Sequence, residues 1–376
     1  MLEFTRDQRL AYANLVSGGE QLGVWRYAKA FPIDEGTPRV TLGEGGTPLV
    51  RSVFIGKSRK FKALHLKNEG QNPTGSFKDR GMTVAVTRAL EAGASTLICA
   101  STGNTSASLA AYAARAGLRA VVLLPAGRVA PGKLIQAAAH GAKILKLDGD
   151  FERALEIVRE VAAADDRIYL VNSINPYRVE GQKTAAFEIY EQLGRRVPDY
   201  VVLPVGNAGN ISAVWKGFEE LREWGITKKL PVMVGVQASG AAPIVEAITK
   251  RGDSIEAWPE PSTVASAIRI GNPASWKKAV KAIRKSRGTA ISVEDGEIMK
   301  ARDALASKEG IFLEPASAAP VAALPHLHDL IGPDDIVVCI GTGSGLKDPE
   351  TVELDPNAVP QVKDASSLAG VLSRGT

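Results

Sequence analysis

The stretch "STLICASTGNTSASLAAYAARAG", residues 95–117, joins a short apolar run to a helical pattern through a polar turn that contains a glycine. The same order recurs in "LRAVVLLPAGRVAPGKLIQAAAHG", residues 118–141, and in segments that begin at Ala142, Arg167 and Asp199. A strand followed by a helix at this spacing is typical of βαβ units and a parallel sheet. Because the units outnumber the strands of one simple doubly wound sheet, the pattern predicts two α/β domains.

Composition narrows the class of protein. The chain has 376 residues, of which 45% are hydrophobic and 23% charged, which suffices for two cores. A net charge of +5 without a lysine–arginine block, and with few aromatics, argues against nucleic-acid binding and suits a small anionic substrate. No apolar run is long enough to span a bilayer, and the first residues lack the apolar stretch of a signal peptide.

The cysteines and histidines indicate a reduced compartment and no metal. Cys99 and Cys339 lie in two strand-like runs far apart in sequence, which is typical of reduced core thiols in a cytoplasmic protein. The four histidines show no spacing of a metal site. We therefore expect a cytoplasmic protein without a bound metal.

The motif "NPTGSFKDRG", Asn72 to Gly81, places a lysine in the first turn of a predicted helix. Ser76 and Asp79 have the spacing of a capping box, with Ser76 as the N-cap. Lys78 would then lie at the positive end of the helix dipole, where a cation is disfavoured. A surface lysine extended into water is one interpretation. The other is a lysine whose pKa is lowered, so that its neutral amine can attack an aldehyde.

Two polar turns follow predicted strands and open helices. The first contains Ser101, Thr102, Asn104 and Thr105, and the free N–H groups of a helix start there can attract an anion. The second is Gly206-Asn207-Ala208-Gly209-Asn210, whose glycines allow the backbone to fold its N–H groups around a phosphate. Simple capping or a tight turn explains one residue of each cluster but not the whole.

A third turn, "GTGSG" at Gly341 to Gly345, also follows a strand. Its glycine spacing differs from a dinucleotide fingerprint and no long helix follows, so we disfavour a nucleotide-dependent dehydrogenase. A neutral lysine, a phosphate cradle and a further anion-binding helix start together suggest a phosphorylated aldehyde cofactor. Pyridoxal 5'-phosphate offers an aldehyde, a phosphate and a ring that nearby groups can tune.

The motifs together resemble the threonine synthase family, pyridoxal-phosphate enzymes of the tryptophan-synthase-β fold type. The resemblance is carried, in the family's order, by "EGGTPL" (44–49), "NPTGSFKDRG", "STGNTSAS", "PVGNAGN", "AIRIGNPASW" (267–276) and "GTGSGLKDP". These blocks span nearly the whole chain. The fold that this implies has two open, twisted, mainly parallel sheet domains with helices on both faces and the cofactor in the cleft between them.

The resemblance also implies a role for each matching residue. Lys78 would hold the cofactor covalently and be the catalytic residue, and Asn104 would hydrogen-bond the ring hydroxyl. Thr342 would face the pyridine nitrogen. The cofactor phosphate would be held by Gly206, Asn207, Ala208, Gly209 and Asn210. Some family members carry N-terminal cysteines that resemble a metal site; "AYANLVSGGE" (11–20) has none, so we expect no zinc.

The implied reaction is that of a carbon–oxygen lyase, which converts O-phospho-L-homoserine and water to L-threonine and phosphate by γ-elimination and β-addition. The turn from Thr102 to Thr105, with Ser101, would take the α-carboxylate of the substrate. Arg178, aided by Ser173 and Thr105, would take the substrate phosphate, because its planar fork matches a phosphate group. A surface ion pair of Arg178 with Glu180 or Glu188 is the alternative.

The resemblance further implies a homodimer with two lobes in each chain. We expect residues 1–80 and 178–376 to form a large lobe that binds the cofactor phosphate, and residues 81–177 to form a small lobe that closes over the substrate. Two other functions stay open at this point beside the dehydrogenase. One is a threonine or serine dehydratase of the same fold type, and the other is a module that binds the cofactor without catalysis.

Overall fold

The protein contains two separate β-sheets. The computed structural model describes residues 15–16, 22–58, 61–101, 103–125, 131–149, 151–252, 254–352, 359 and 361–372. One sheet has six strands in the order β1-β2-β10-β7-β8-β9, and the other has four in the order β5-β4-β3-β6. All neighbouring strands run parallel except β1, which pairs antiparallel with β2. The predicted fold class, two mainly parallel α/β sheets, is confirmed.

The strands that form the six-stranded sheet come from both ends of the chain, whereas those of the four-stranded sheet are consecutive. The larger sheet comprises β1 (Leu49–Arg51), β2 (Ala63–Asn68), β7 (Tyr200–Pro204), β8 (Val232–Ala238), β9 (Thr289–Val293) and β10 (Ile336–Gly341). The smaller sheet comprises β3 (Thr96–Ala100), β4 (Arg119–Leu124), β5 (Lys143–Lys146) and β6 (Ile168–Leu170).

Helices connect the strands. The α-helices are α1 (Phe54–Ser58), α2 (Lys78–Glu91), α3 (Asn104–Ala116), α4 (Pro131–Ala139), α5 (Phe151–Ala164), α6 (Pro176–Gln192), α7 (Gly209–Glu223), α8 (Pro243–Thr249), α9 (Trp276–Lys285), α10 (Asp295–Glu309), α11 (Pro315–Ala322) and α12 (Ala365–Leu372). Short 3-10 helices span Val24–Ala30, Glu69–Gln71, Ser239–Ala241, Ser266–Ile268, Leu324–Leu327, Gly345–Lys347 and Pro349–Thr351. Within the described ranges, no helix is long and apolar enough to cross a membrane.

Each sheet is covered on both faces, which explains why the central strands β3, β7 and β10 are continuously apolar. In β7, Val201 and Leu203 pack into one hydrophobic cluster while Val202, between them, packs into another on the opposite face. In β3, Cys99 and its neighbour Ile98 likewise belong to different clusters. Both cysteines, Cys99 and Cys339, are buried free thiols.

The start of α2 differs from the sequence prediction. The predicted capping box at Ser76 is wrong, because the Asp79 carboxylate accepts from the backbone N–H of Thr74 (2.7 Å) and from its hydroxyl (2.6 Å) instead. Gly75 has a φ of 80°, and this left-handed turn brings Thr74 to Asp79. A third bond, from the Ser108 hydroxyl of α3 at 2.6 Å, ties the helix start to the smaller sheet's first helix. The helix consequently begins at Lys78 itself.

Candidate active site

A cavity of about 1600 Å³ lies where the carboxyl ends of strands from both sheets meet. Ser101 follows β3, Ser173 follows β6, Gly206 follows β7 and Thr342 follows β10, and all four line this cavity. The carboxyl ends of parallel strands are the usual place for a ligand in an open α/β sheet. The cavity is therefore the candidate active site.

Lys78 reaches the cavity from the first turn of α2. Burial and the nearby Arg178 guanidinium lower the pKa of its amine to about 7, and the Glu314 carboxylate opposes this shift. The Nζ atom lies 4.1 Å from the centre of the Phe77 ring. A large share of this amine is therefore neutral near pH 7 and able to act as a nucleophile.

Backbone hydrogen bonds join the lysine motif to the third glycine turn. The N–H of Phe77 donates to the carbonyl of Thr342 at 3.0 Å, and the N–H of Ser344 donates to the carbonyl of Gly75 at 2.9 Å. These bonds hold Lys78 beside the end of β10. The two motifs lie near opposite ends of the chain, so only the folded sheet brings them together.

The turn from Gly206 to Asn210 is shaped to receive an anion. A Cβ atom at Gly206 would lie 2.9 Å from the carbonyl oxygen of Ala267, so the backbone there fits only glycine. Ala208 adopts a left-handed conformation with φ 63°, and α7 begins immediately after it with its first residues lining the cavity. The amide nitrogen of Asn210 is buried without a partner among the described residues. A buried donor of this kind indicates a ligand.

Thr342 also lines the cavity and is held by Ser317 of α11. Their hydroxyl oxygens are 2.8 Å apart, and the Ser317 oxygen also accepts from the N–H of Gly343 at 2.7 Å. Thr342 is buried and presents a neutral hydroxyl rather than a carboxylate. Ser317 was not predicted from sequence, since nothing in "EPASAA" distinguishes it from an ordinary helix residue.

Asn104 is the first residue of α3 and lines the cavity. Its side-chain nitrogen donates to both carboxylate oxygens of Glu314, at 3.0 and 3.1 Å. Glu314 is only 2% exposed and also lines the cavity. Sequence reasoning missed this carboxylate as well. The one local signal was its position directly before Pro315, which is typical of a helix start.

Arg178 of α6 is 1% exposed and lines the cavity. One of its terminal nitrogens donates to the carbonyl of Val171 at 2.9 Å, and its Nε atom has no partner among the described residues. The alternative of an ion pair with Glu180 or Glu188 is wrong, because those carboxylates bind other cations. A buried guanidinium with an unused donor is suited to an anionic ligand.

Twelve of the thirteen predicted site residues line the same cavity: Lys78, Ser101, Asn104, Thr105, Ser173, Arg178, Gly206, Asn207, Ala208, Gly209, Asn210 and Thr342. Thr102, the remaining one, lies outside the described residues. In the described ranges no three His, Cys, Asp or Glu side chains gather as they would around a metal ion. The arrangement brings an amine with a lowered pKa, two buried donors without a partner among the described residues (on Arg178 and Asn210) and a neutral hydroxyl around one space.

Comparison with known proteins gives the family. The model of the pyridoxal-phosphate-dependent enzyme family matches residues 40–343. The chain belongs to this family. It is also 56% identical over 345 residues to a threonine synthase of Methanosarcina acetivorans, covering 91% of this chain and 84% of that one. A threonine synthase of Methanocaldococcus jannaschii is 56% identical over 332 residues, covering 88% and 82% of the two chains.

Solved structures of pyridoxal-phosphate-dependent enzymes share the fold. Maize serine racemase superimposes with a TM-score of 0.69 at 21% identity, covering 87% of this chain and 92% of that one. The processed form of threonine deaminase isoform 2 from Solanum lycopersicum gives 0.67 at 20% identity, covering 88% of each chain. At these identities the likeness concerns the fold alone.

The residues present fit pyridoxal 5'-phosphate, the cofactor of the family. Lys78 supplies an amine whose lowered pKa leaves much of it neutral near pH 7. The Gly206 turn supplies backbone N–H groups and the buried, unpartnered amide of Asn210 for a phosphate. Both are needed to hold a phosphorylated aldehyde.

Proposed function

We propose that this chain is a threonine synthase, which converts O-phospho-L-homoserine and water to L-threonine and phosphate in threonine biosynthesis. The observation that carries the proposal is the 50–56% identity to curated threonine synthases over about nine-tenths of the chain. The deaminases and racemases that share the fold are only about a fifth identical. A dehydratase of the same fold type is therefore the less favoured function.

Four groups of residues would hold the cofactor. Lys78 would bind its aldehyde, Asn104 would face the ring hydroxyl and Thr342 the ring nitrogen. The phosphate would be bound by the turn formed by Gly206, Asn207, Ala208, Gly209 and Asn210, through its backbone N–H groups and the Asn210 amide. Borohydride reduction followed by peptide mapping tests the first assignment. We expect the reduced cofactor on Lys78, and its appearance on Lys67 or Lys183, which are the two fully buried lysines in the described part of the chain, would refute that assignment.

When bound, the cofactor supplies an electron sink that makes protons on the substrate carbons removable. Lys78 would take and return those protons, and its position in the cavity with a pKa near 7 supports this role. It would take the proton from the carbon that bears the amino group and transfer a proton at the next carbon. An amine with a pKa near 7 can act as base and as acid at neutral pH, and γ-elimination followed by β-addition requires both.

The substrate carries a carboxylate and a phosphate, so it needs two anion sites besides the cofactor phosphate site. The carboxylate would meet the start of α3, at Ser101, Thr102 and Thr105. The phosphate would meet Arg178 and Ser173, with Thr105 approaching from the facing turn. Support for this comes from the buried Nε atom of Arg178, which has no partner among the described residues.

We further propose that residues 1–80 and 178–376 form a large lobe and that residues 81–177 form a small lobe that closes over the substrate. Closure would keep water away from the cavity until the addition step needs it. The enzyme would work in the cytoplasm as a homodimer. Crystals with and without an unreactive phosphohomoserine analogue would show a relative rotation of the lobes, and identical lobe positions in both would contradict closure.

The function is tested by product analysis. The purified holoenzyme is incubated with O-phospho-L-homoserine and, separately, with L-threonine and L-serine. Release of L-threonine and phosphate in equal amounts from the first substrate supports the proposal. Release of 2-oxobutanoate and ammonia from L-threonine, with no turnover of phosphohomoserine, would establish the dehydratase instead.

A further inference from the structure

The carboxylate of Glu314 is a buried ionisable group of the cavity that the proposed reaction does not use. Its two oxygens accept from the same nitrogen of Asn104, at 3.0 and 3.1 Å. Glu314 immediately precedes α11, and its backbone N–H donates to the carbonyl of Gly343 at 3.1 Å. The side chain is confined, because a Cβ atom at Gly343 would lie 2.5 Å from its Oε1 atom.

The geometry of this contact fixes which way the Asn104 amide points. Seen from the Asn104 nitrogen, the two oxygens of the carboxylate subtend a much smaller angle than the angle between the two N–H bonds of an amide. One N–H of Asn104 therefore serves both oxygens, and the second N–H is directed away from Glu314. That second N–H is the donor that remains for a ligand in the cavity.

A flipped amide is strongly disfavoured. Flipping would turn the Asn104 carbonyl oxygen toward the Glu314 carboxylate, and two acceptors would then oppose each other in a buried place. The charged groups that line the cavity on the facing elements are Lys78 and Arg178, and the Lys78 amine interacts electrostatically with the Glu314 carboxylate. An ionised carboxylate is an acceptor only, which keeps Asn104 as the donor.

We propose that Glu314 is a positioning residue that locks the Asn104 amide so that a single N–H points into the cavity toward the cofactor ring hydroxyl. This inference rests on the proposed function, in which Asn104 faces that hydroxyl. Glu314 acts through Asn104 and does not itself touch the cofactor. The locked N–H donates to the ring oxygen and favours its ionised form.

The test is a double-mutant cycle on cofactor affinity. It is made in a Lys78→Ala background, so that the effect of the Glu314 charge on the lysine amine is removed. The dissociation constant of pyridoxal 5'-phosphate is measured by titration for Lys78→Ala alone and with Glu314→Gln, Asn104→Ala or both. Gln keeps the length of the side chain but can present either a donor or an acceptor. The Asn104 amide is then no longer held in one orientation.

We expect Glu314→Gln to weaken cofactor binding about 10-fold when Asn104 is present and less than about 2-fold when Asn104 is Ala. With Asn104 present, the cofactor bound to the Glu314→Gln variant should also show a higher pH midpoint for ionisation of its ring hydroxyl than the cofactor bound to Lys78→Ala alone. This midpoint is read from the absorption spectrum. Equal losses of affinity in both backgrounds, or no loss in either, would overturn the proposal.

Two further variants separate positioning from folding. Glu314→Asp keeps the charge but shortens the side chain, and we expect a loss in the same direction as for Gln. Glu44→Gln is the matched control, because Glu44 is also 2% exposed but bonds Thr41 and Tyr112 outside the cavity, and it should leave affinity within about 2-fold. Failure of the protein with native Lys78 to bind the cofactor at all would instead refute the proposed function.

Discussion

The Arg178 guanidinium and the Lys78 amine line one cavity, and this positive neighbour adds to the lowering of the lysine pKa by burial. Glu314 opposes the shift, and the resulting pKa is about 7. The same guanidinium lowers the pKa of the amine and has an Nε atom without a partner among the described residues.

The first prediction concerns pH. Because the pKa of Lys78 lies near 7 instead of its usual value, the fraction of neutral amine rises as pH increases through about 7 and then levels off. The rate at which the cofactor-free protein captures pyridoxal 5'-phosphate should follow that curve in stopped-flow absorbance. In Arg178→Leu, which removes the positive neighbour, the midpoint should move upward. A midpoint in the ordinary lysine range for the unmodified protein would contradict the account.

The second prediction concerns the substrate phosphate. Truncation of one partner in a buried charged contact costs about 2–5 kcal/mol. Arg178→Ala should therefore lower kcat/KM for phosphohomoserine by about 30-fold or more. At a pH where the Lys78 amine is neutral in both proteins, cofactor affinity should barely change, because the Gly206 turn is untouched. Arg159→Ala is the control, since Arg159 lines the same cavity but is exposed. Near-normal kinetics in Arg178→Ala, or loss of cofactor with it, would place the substrate phosphate elsewhere.

The third prediction concerns the cofactor phosphate. In Gly206→Ala the added methyl group would meet the Ala267 carbonyl oxygen at 2.9 Å, so the turn must shift. We expect cofactor affinity to fall by about 10-fold or more and the melting temperature to fall with it. Gly296→Ala is the control, because nothing lies within 4 Å of a Cβ atom there. Unchanged affinity in Gly206→Ala would show that this turn does not bind the phosphate.

Much of the fold could be predicted because each strand–helix unit is marked locally, by an apolar run, a polar turn and a helical pattern. The site residues that were predicted also lie in such turns. Glu314, which lines the cavity, and Ser317, which holds Thr342, could not be predicted in this way, since they reach the site only because α11 packs beside the end of β10. The capping box at the start of α2 was predicted wrongly for a related reason: the left-handed Gly75 brings Thr74, rather than Ser76, to the Asp79 carboxylate, which Ser108 also contacts.

The fourth prediction concerns the ring nitrogen. Thr342 presents a neutral hydroxyl, whereas a carboxylate in its place would hold a pyridine nitrogen protonated. Thr342→Asp should therefore change the absorption spectrum of the bound cofactor and the ratio of threonine to 2-oxobutanoate formed. Thr342→Ser keeps the hydroxyl and should behave like the unmodified enzyme. Identical spectra and product ratios in the Asp variant would show that Thr342 does not face the ring nitrogen.

We predict that the bond between the γ carbon and the phosphate oxygen breaks, and that water then adds to the neighbouring β carbon. The most direct measurement is turnover of O-phospho-L-homoserine in water labelled with heavy oxygen, with both products analysed by mass spectrometry. The account predicts L-threonine with the label in its hydroxyl group and phosphate that is released unlabelled. Labelled phosphate together with homoserine, or 2-oxobutanoate with ammonia in place of threonine, would contradict it.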